Sequence, residues 1–470
     1  MSFFASVFFC CSPICSEAVS ALVARADLFL QTSILSILVI SESQTGFKDF
    51  KIGLVCAISV LFKETGLITF FIIAFKNISK SKNHVFWPNM GIFVCFARSW
   101  VTNFEFTNFS EIDNPMINEK KIQRVRSTLA LVFRNLKILL LPIDLCHDWS
   151  YGTFFPTLIE SIFGIFILVL IFWLIVRKFS KNNFFIWSWL ALTYFPISNS
   201  LFLVGFVQAE RALYLMLPPM ILFFIQGFEK ISTKIRPENV KTLKILLIGI
   251  SLGKTTIRVR DWQNEESLHN SAVRLGSLKS QVNLGSFFGE KGKFNTSYFL
   301  LRDGLRRKPT SDIFYNLGLI EQRARKFSDA KKSYEKCIEL RASHNLCRLN
   351  LGVIFENVSN STEISEFYYQ SCLDSNLNCR FNLARLFYNQ KFYQKSIGLL
   401  EIIATEKIIN GRCLFYSKSE RASFLNLLAL AHLKLRNFEK SRFFVEKSLE
   451  ANSGHLPALS AKKVLDSILN

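Results

Sequence analysis

Apolar and polar positions are distributed unevenly along this chain. Before about residue 257 the apolar positions gather into runs near 28–40, 52–75, 85–98, 129–145, 156–176, 184–204, 212–228 and 245–257. A helix needs roughly 20 apolar residues to cross about 30 Å of hydrocarbon. The runs at 156–176, 184–204 and 212–228 meet or approach that length, and the others are shorter or carry charge. The run at 52–75 holds Lys63 and Glu64 at its centre. Charge there is costly in lipid, so two short helices meeting at a turn around Lys63–Gly66 are predicted. The run at 129–145 contains Arg134 and Lys137 and reads as an amphipathic helix at the membrane surface.

Past residue 257 the pattern becomes one of short amphipathic helices with an internal repeat. Asn283-Leu284-Gly285, Asn316-Leu317-Gly318, Asn350-Leu351-Gly352 and Asn382-Leu383-Ala384 recur every 32 to 34 residues. That is the tetratricopeptide period. The small third residue belongs where the two helices of a repeat approach closely. A second small residue is expected about twelve positions on, where Ser297, Ala330, Ser396 and Ser441 stand. The chain is therefore read as all-α. A multispanning transmembrane domain covers 1–257, a junction helix 258–277, and a solenoid of about five repeats 278–470.

The net charge of +21 first suggests nucleic acid. The basic residues, however, sit in short clusters between apolar runs, as in cytoplasmic loops of membrane proteins. Lys76, Lys80 and Lys82 form one cluster, Arg177, Lys178 and Lys181 a second, and Lys230, Lys234, Arg236, Lys241 and Lys244 a third. With these in the cytoplasm, the connection at Gly205–Arg211, residues Asp148 and Trp149, and the repeat tail all fall on the opposite, lumenal side. No nucleic-acid partner is expected. Among the 11 cysteines no CxxC occurs, and the 6 histidines form no HxxxH or HExxH pair. No metal site is expected. The cysteines read as small buried helix residues, with a disulfide open to the tail if it is lumenal. Sequons stand at Asn77, Asn108, Asn295, Asn357 and Asn360.

Several short motifs stand in a definite order. Ser16-Glu17-Ala18-Val19 precedes Ala24-Arg25-Ala26-Asp27. Phe62-Lys63-Glu64-Thr65-Gly66, Asp113-Asn114-Pro115 and Asp148-Trp149-Ser150 follow. Then come Pro196-Ile197-Ser198-Asn199, Gly205-Phe206-Val207-Gln208-Ala209-Glu210-Arg211-Ala212-Leu213-Tyr214, and Trp262 with Glu265 to Ser271. This ordered set resembles the transmembrane and tetratricopeptide repeat-containing protein O-mannosyltransferases, and the resemblance covers most of the chain. Two departures stand out. Ser12-Pro13-Ile14-Cys15 replaces a His-Pro-x-His pattern. The family's earlier helix and its lumenal loop with an acidic pair have no counterpart, so the chain is expected to be truncated at its N-terminus.

The resemblance implies a GT-C-like membrane domain, multi-pass in the endoplasmic reticulum, with the repeat tail lumenal and holding acceptor polypeptide. It implies transfer of mannose from dolichyl phosphate mannose to Ser or Thr of secretory-pathway proteins, with no cofactor beyond the lipid-linked donor. A hydroxyl acceptor needs a carboxylate base, and a departing lipid phosphate needs cations. On that basis Glu17, Asp27, Glu64 and Glu210 are the candidate catalytic acids. Arg25, Lys63 and Arg211 are the candidate phosphate ligands, and Asp113, Asp148 and Trp149 the further lumenal motif residues.

Plainer readings stand beside these. Glu210-Arg211 can be an ion pair seating a helix end, Lys63-Glu64 a lock on a turn, Asp148 and Trp149 interfacial anchors, and Asp113 a cap on a turn. The alternative for the whole chain is a catalytically inactive, membrane-anchored repeat scaffold.

Overall fold

The structure is a computed structural model and describes residues 2–43, 47–79, 112–177, 180–200, 202–374, 376–410 and 417–469. The apolar run 85–98, Lys80, Lys82, Lys178 and Asn108 lie outside the described residues, as does the side chain of Glu64. The described chain is helical apart from turns, with one isolated antiparallel bridge between Trp149 and Gln208. It divides into two compact units, Met1–Phe287 and Phe288–Asn470.

Among the described residues of the first unit two helices are long and apolar enough to cross a membrane, Leu158–Arg177 and Glu210–Ser232. Leu158–Arg177 presents most of its apolar side chains outward, among them Ile162, Phe166, Val169 and Phe172. Lipid solvates such a surface and water does not. It comes close to the helix Lys121–Leu140 at Gly164, where a Cβ would lie 2.0 Å from the Leu129 carbonyl oxygen, so no side chain fits there. Arg134 on the helix Lys121–Leu140 is tied to Glu160, with Nε 2.8 Å from Oε1.

The run 52–75 is broken. Lys48–Phe62 and Ile68–Ser79 are separate helices joined by the turn Glu64–Leu67. Lys63 leaves the first helix in an extended conformation. Gly66 comes so near that helix that a Cβ would lie 2.3 Å from the Ser59 carbonyl oxygen. Only glycine permits this approach, and it fixes the Lys63 side chain at the turn. The run 245–257 lies within one unbroken helix, Pro237–Asp261, which passes through the expected boundary at 257.

The segment that follows Ala209 sits between two apolar clusters. Leu213, Met216 and Leu217 pack with Ile14, Ile138 and Ile221. Tyr214 and Leu215 pack with Leu30, Ile34, Ile72 and Trp189. Consecutive residues thus feed two different clusters. In a membrane such contacts hold by close packing rather than by removal from water, and Glu210 and Arg211 are held at the start of that wedge.

The second unit is an array of helix pairs. Ser311–Arg323 pairs with Phe327–Leu340, Asn345–Asn357 with Thr362–Gln370, Leu377–Asn389 with Tyr393–Asn410, and Lys418–Lys434 with Phe438–Ala451. The repeated glycines at 318 and 352 mark close contacts between paired helices. A Cβ on Gly318 would lie 2.6 Å from the Tyr334 ring, and one on Gly352 2.5 Å from the Tyr369 ring. Ser297, Ala330, Ser396 and Ser441 are all buried. Disulfides join Cys337 to Cys347, from the helix Phe327–Leu340 to Asn345–Asn357, and Cys372 to Cys379, from the turn after Thr362–Gln370 to the helix Leu377–Asn389. Cys347 and Cys379 both stand three residues before the repeated asparagine.

An apolar cavity with two cations on its wall as candidate functional site

A cavity of about 1050 Å³ opens in the first unit. Phe71 and Phe75 of the helix Ile68–Ser79 line it, with Phe184 and Leu192 of the helix Lys181–Tyr194 and the stretch from Phe195 to Phe206. Three charged side chains reach its described wall: Asp27, Lys63 and Arg211. The motifs from three distant parts of the sequence therefore converge here.

Each cation is held by its own carboxylate. Lys63 pairs with Asp27, which is 2% exposed, while Lys63 itself remains 34% exposed. The second oxygen of Asp27, Oδ2, is buried with no hydrogen-bond partner among the described residues. Glu17 is buried and accepts from the backbone N–H of Arg211 at 3.0 Å and from Arg211 Nη1 at 3.3 Å. Arg211 also lies over the Phe206 ring, 5.6 Å from its centroid. This double hold fixes the guanidinium while 27% of the side chain stays exposed.

Glu210 points elsewhere. It is 0% exposed, does not line the cavity, and is gripped by Arg258 of the helix Pro237–Asp261. Arg258 Nε donates to Oε2 at 3.2 Å and Nη2 to Oε1 at 3.1 Å, while Nη1 reaches Asp261 at 2.9 Å. Sequence reasoning missed Arg258. It stands one residue past the run 245–257, where an arginine reads as an ordinary end-of-span cation. Arg25 opens the helix Arg25–Glu42 as an exposed residue and is not among those lining the cavity.

The remaining motif residues build the frame. Asn199, held at φ 55°, accepts from the Val204 N–H at 3.1 Å and donates to the Phe206 carbonyl at 3.2 Å. Asn114 donates to Asn199 Oδ1 at 3.0 Å and to the Val204 carbonyl at 2.8 Å. Together these two asparagines shape the loop that delivers Arg211. Asp113 pairs with Lys279. Asp148 accepts from Ser150 at 2.9 Å, from Ser277, and from Ser280 at 3.4 Å, and the Leu278 N–H donates to the Tyr151 carbonyl at 3.0 Å. Asp113 and Asp148 thus seat the start of the helix Leu278–Glu290 on the loop after Leu140. Trp149 is bridged to Gln208. In the same seam His147 faces His269 at 5.3 Å between ring centroids. Burial, reinforced by His269, Arg258 and Lys279, holds the His147 imidazole down to about 3.

Comparison with known proteins gives matching results. Residues 103–177 match the family described as protein O-mannosyl-transferase TMTC, DUF1736. Residues 311–344 and 422–455 match the tetratricopeptide repeat. The chain is 29% identical over 310 residues to protein O-mannosyl-transferase F38B6.6 of Caenorhabditis elegans, covering 62% of this chain and 44% of that protein. It is 38% identical over 133 residues to protein O-mannosyl-transferase Tmtc2 of Drosophila melanogaster, covering 27% of this chain and 14% of that one. With protein O-mannosyl-transferase TMTC1 of Homo sapiens it shares 28% identity, covering 40% and 23%. The chain spans less than half the length of each of these relatives. The motif order, the segment matched at 103–177 and the repeats make the chain similar to the TMTC protein O-mannosyl-transferases over those parts.

Proposed function

We propose that this chain is the membrane part and repeat tail of a protein O-mannosyltransferase of the endoplasmic reticulum. Dolichyl phosphate mannose is the donor, and Ser or Thr of secretory-pathway polypeptides is the acceptor. The observation that carries this reading is the cavity of about 1050 Å³. A polyisoprenyl phosphate asks two things of its site: apolar walls for the chain and cations for the phosphate. Phe71, Phe75, Phe184 and Leu192 meet the first demand, and Lys63 and Arg211 the second. As the sugar–phosphate bond breaks, negative charge grows on the phosphate, and pre-positioned cations stabilise it without reorganising.

Glu17 and Asp27 orient these cations. Asp27 Oδ2, buried and without a partner among the described residues, is the carboxylate oxygen suited to take the acceptor proton. The tail sits in the lumen and holds the acceptor. Two disulfides in the repeats suit an oxidising compartment, and the basic clusters suit a cytoplasmic side.

A scaffold reading draws on the same cavity. Asp27 is the one carboxylate on its described wall, and it is already engaged by Lys63. The separating experiment mixes purified protein with dolichyl phosphate mannose and a secretory acceptor domain and weighs the product. The enzyme reading predicts one added hexose per site, and about a 10²-fold slower reaction for Arg211→Ala. An unchanged rate in that variant refutes the role of Arg211. Donor binding without any transfer selects the scaffold.

A further inference from the structure

We propose that Arg258 is a positioning residue that keeps Arg211 available to a lipid-linked phosphate; this deepens the donor reading above and rests on it. Two carboxylates, Glu17 and Glu210, and two guanidiniums, Arg211 and Arg258, meet where the segment Glu210–Leu213 begins. Glu17 is 1% exposed and Glu210 0%. The two carboxylates repel each other, and Arg258 attracts Glu17 as well as Glu210. Each of the two buried carboxylates has a guanidinium, and Arg258 also meets the partly exposed Asp261.

Of the four, Arg211 alone lines the cavity. Arg258 is 3% exposed and spends its fork on Glu210 and Asp261. Removing it leaves two buried carboxylates sharing one guanidinium. A buried charge without a partner is strongly unfavourable, and the nearest remedy is for Arg211 to turn toward Glu210, its neighbour in sequence. The cavity then loses a phosphate ligand although no residue on its wall has changed. Removing Glu210 together with Arg258 takes out one charge of each sign and leaves the Glu17–Arg211 pair intact. Arg258 thus acts through the partner choice of Arg211.

The test measures binding of dolichyl phosphate to the purified full chain, the donor KM and kcat in the transfer assay, and the unfolding temperature. Arg258→Gln should weaken dolichyl phosphate binding and raise the donor KM at least tenfold, with kcat changed less. The double variant Glu210→Gln, Arg258→Gln should return both to within about threefold of the unaltered chain. A purely structural Arg258 would lower the unfolding temperature in both variants and leave binding and KM untouched, which overturns the proposal, as does a double variant that binds no better than the single. If Arg258→Gln does not fold, the double variant and Arg258→Lys carry the test. Arg258→Lys keeps the charge but loses the fork, so its binding should fall between the unaltered chain and the level without Arg258, and binding equal to the unaltered chain contradicts the role of the fork. An unaltered chain that does not bind dolichyl phosphate sinks the donor reading and the inference together. That result differs from equal binding by the unaltered chain and Arg258→Gln, which sinks the inference alone.

Discussion

At the scale of single residues, small side chains decide how the repeats close. Gly352 faces Tyr369, which is fully buried and donates its hydroxyl to Glu356 at 2.8 Å. A methyl group at position 352 has nowhere to go unless that ring moves. Gly352→Ala should destabilise the repeat unit by about 1–3 kcal/mol, the usual cost of overpacking. Gly398 has no atom within 4 Å of the Cβ it would carry. Gly398→Ala should therefore be neutral or stabilising by up to about 1 kcal/mol, since alanine favours helix. Thermal unfolding of the full chain followed by proteolysis of the repeats distinguishes the two. Equal effects of both substitutions would contradict the packing account.

The same scale shows what short motifs can and cannot tell. The Asn-Leu-Gly triplets gave the repeat period because their spacing reflects packing. The motif Glu210-Arg211 suggested a shared task, yet the two side chains part company. Arg211 turns to Glu17 and the cavity, and Glu210 to Arg258. Adjacent residues leave a helix start in different directions, so adjacency in sequence does not fix the partner. Arg258 lies 48 residues beyond Glu210, and no local spacing connects them.

At the scale of elements, the seam between the loop after Leu140 and the helices Glu265–Arg274 and Leu278–Glu290 is a polar lock. Ser277 and Ser280 meet Asp148, Lys279 meets Asp113, and His147 meets His269. Burial keeps both imidazoles below their ordinary range. His147 is held near 3 when folded, against 6.5 for the free side chain. Between those values the unfolded chain binds a proton that the folded chain refuses. The seam is therefore at full strength above about pH 6.5 and weakens as the pH falls toward 3, by at most about 1.4 kcal/mol for each unit. Hydrogen exchange of the amides in Glu265–Arg274 should quicken between pH 7 and pH 5, after correction for the intrinsic rate, and His147→Asn should flatten much of that change. A slope that persists unchanged in the variant would exclude His147 as its source.

The turn at Lys63 was legible because a charged pair followed by glycine interrupts an apolar run. The run 245–257 was less so. Its helix extends from Pro237 to Asp261 and carries charged residues at both ends, so the apolar stretch marks only its middle. Asp113 and Asp148 looked like lumenal chemistry from their motifs, but their partners, Lys279, Ser277 and Ser280, lie more than a hundred residues on. Common residue types at such a distance carry no signal in one sequence.

At the scale of the whole molecule, the membrane unit and the repeat unit answer to different solvents. The first turns Ile, Leu, Val and Phe side chains outward and pairs Lys63, Arg211 and Arg258 with buried carboxylates. The second builds a conventional packed interior and adds two disulfides. Closing loops of this size stabilises by roughly 2–3 kcal/mol each on the chain-entropy argument. This difference between the units is what the proposed function calls for: an apolar unit for a lipid-linked donor and a repeat unit for a polypeptide acceptor.

The claim on which the account depends is that the cavity takes a polyisoprenyl phosphate, and photolabelling tests it directly. Membranes holding the full chain would be irradiated with a dolichyl phosphate analogue carrying a photoreactive group along its chain, and the labelled peptides identified by mass spectrometry. The account predicts labels on Phe71, Phe75, Phe184 or Leu192, competed away by dolichyl phosphate and sharply reduced in the variant Lys63→Ala, Arg211→Ala. Labels confined to the outward face of Leu158–Arg177, or labelling of the cavity that is indifferent to both cations, would contradict it.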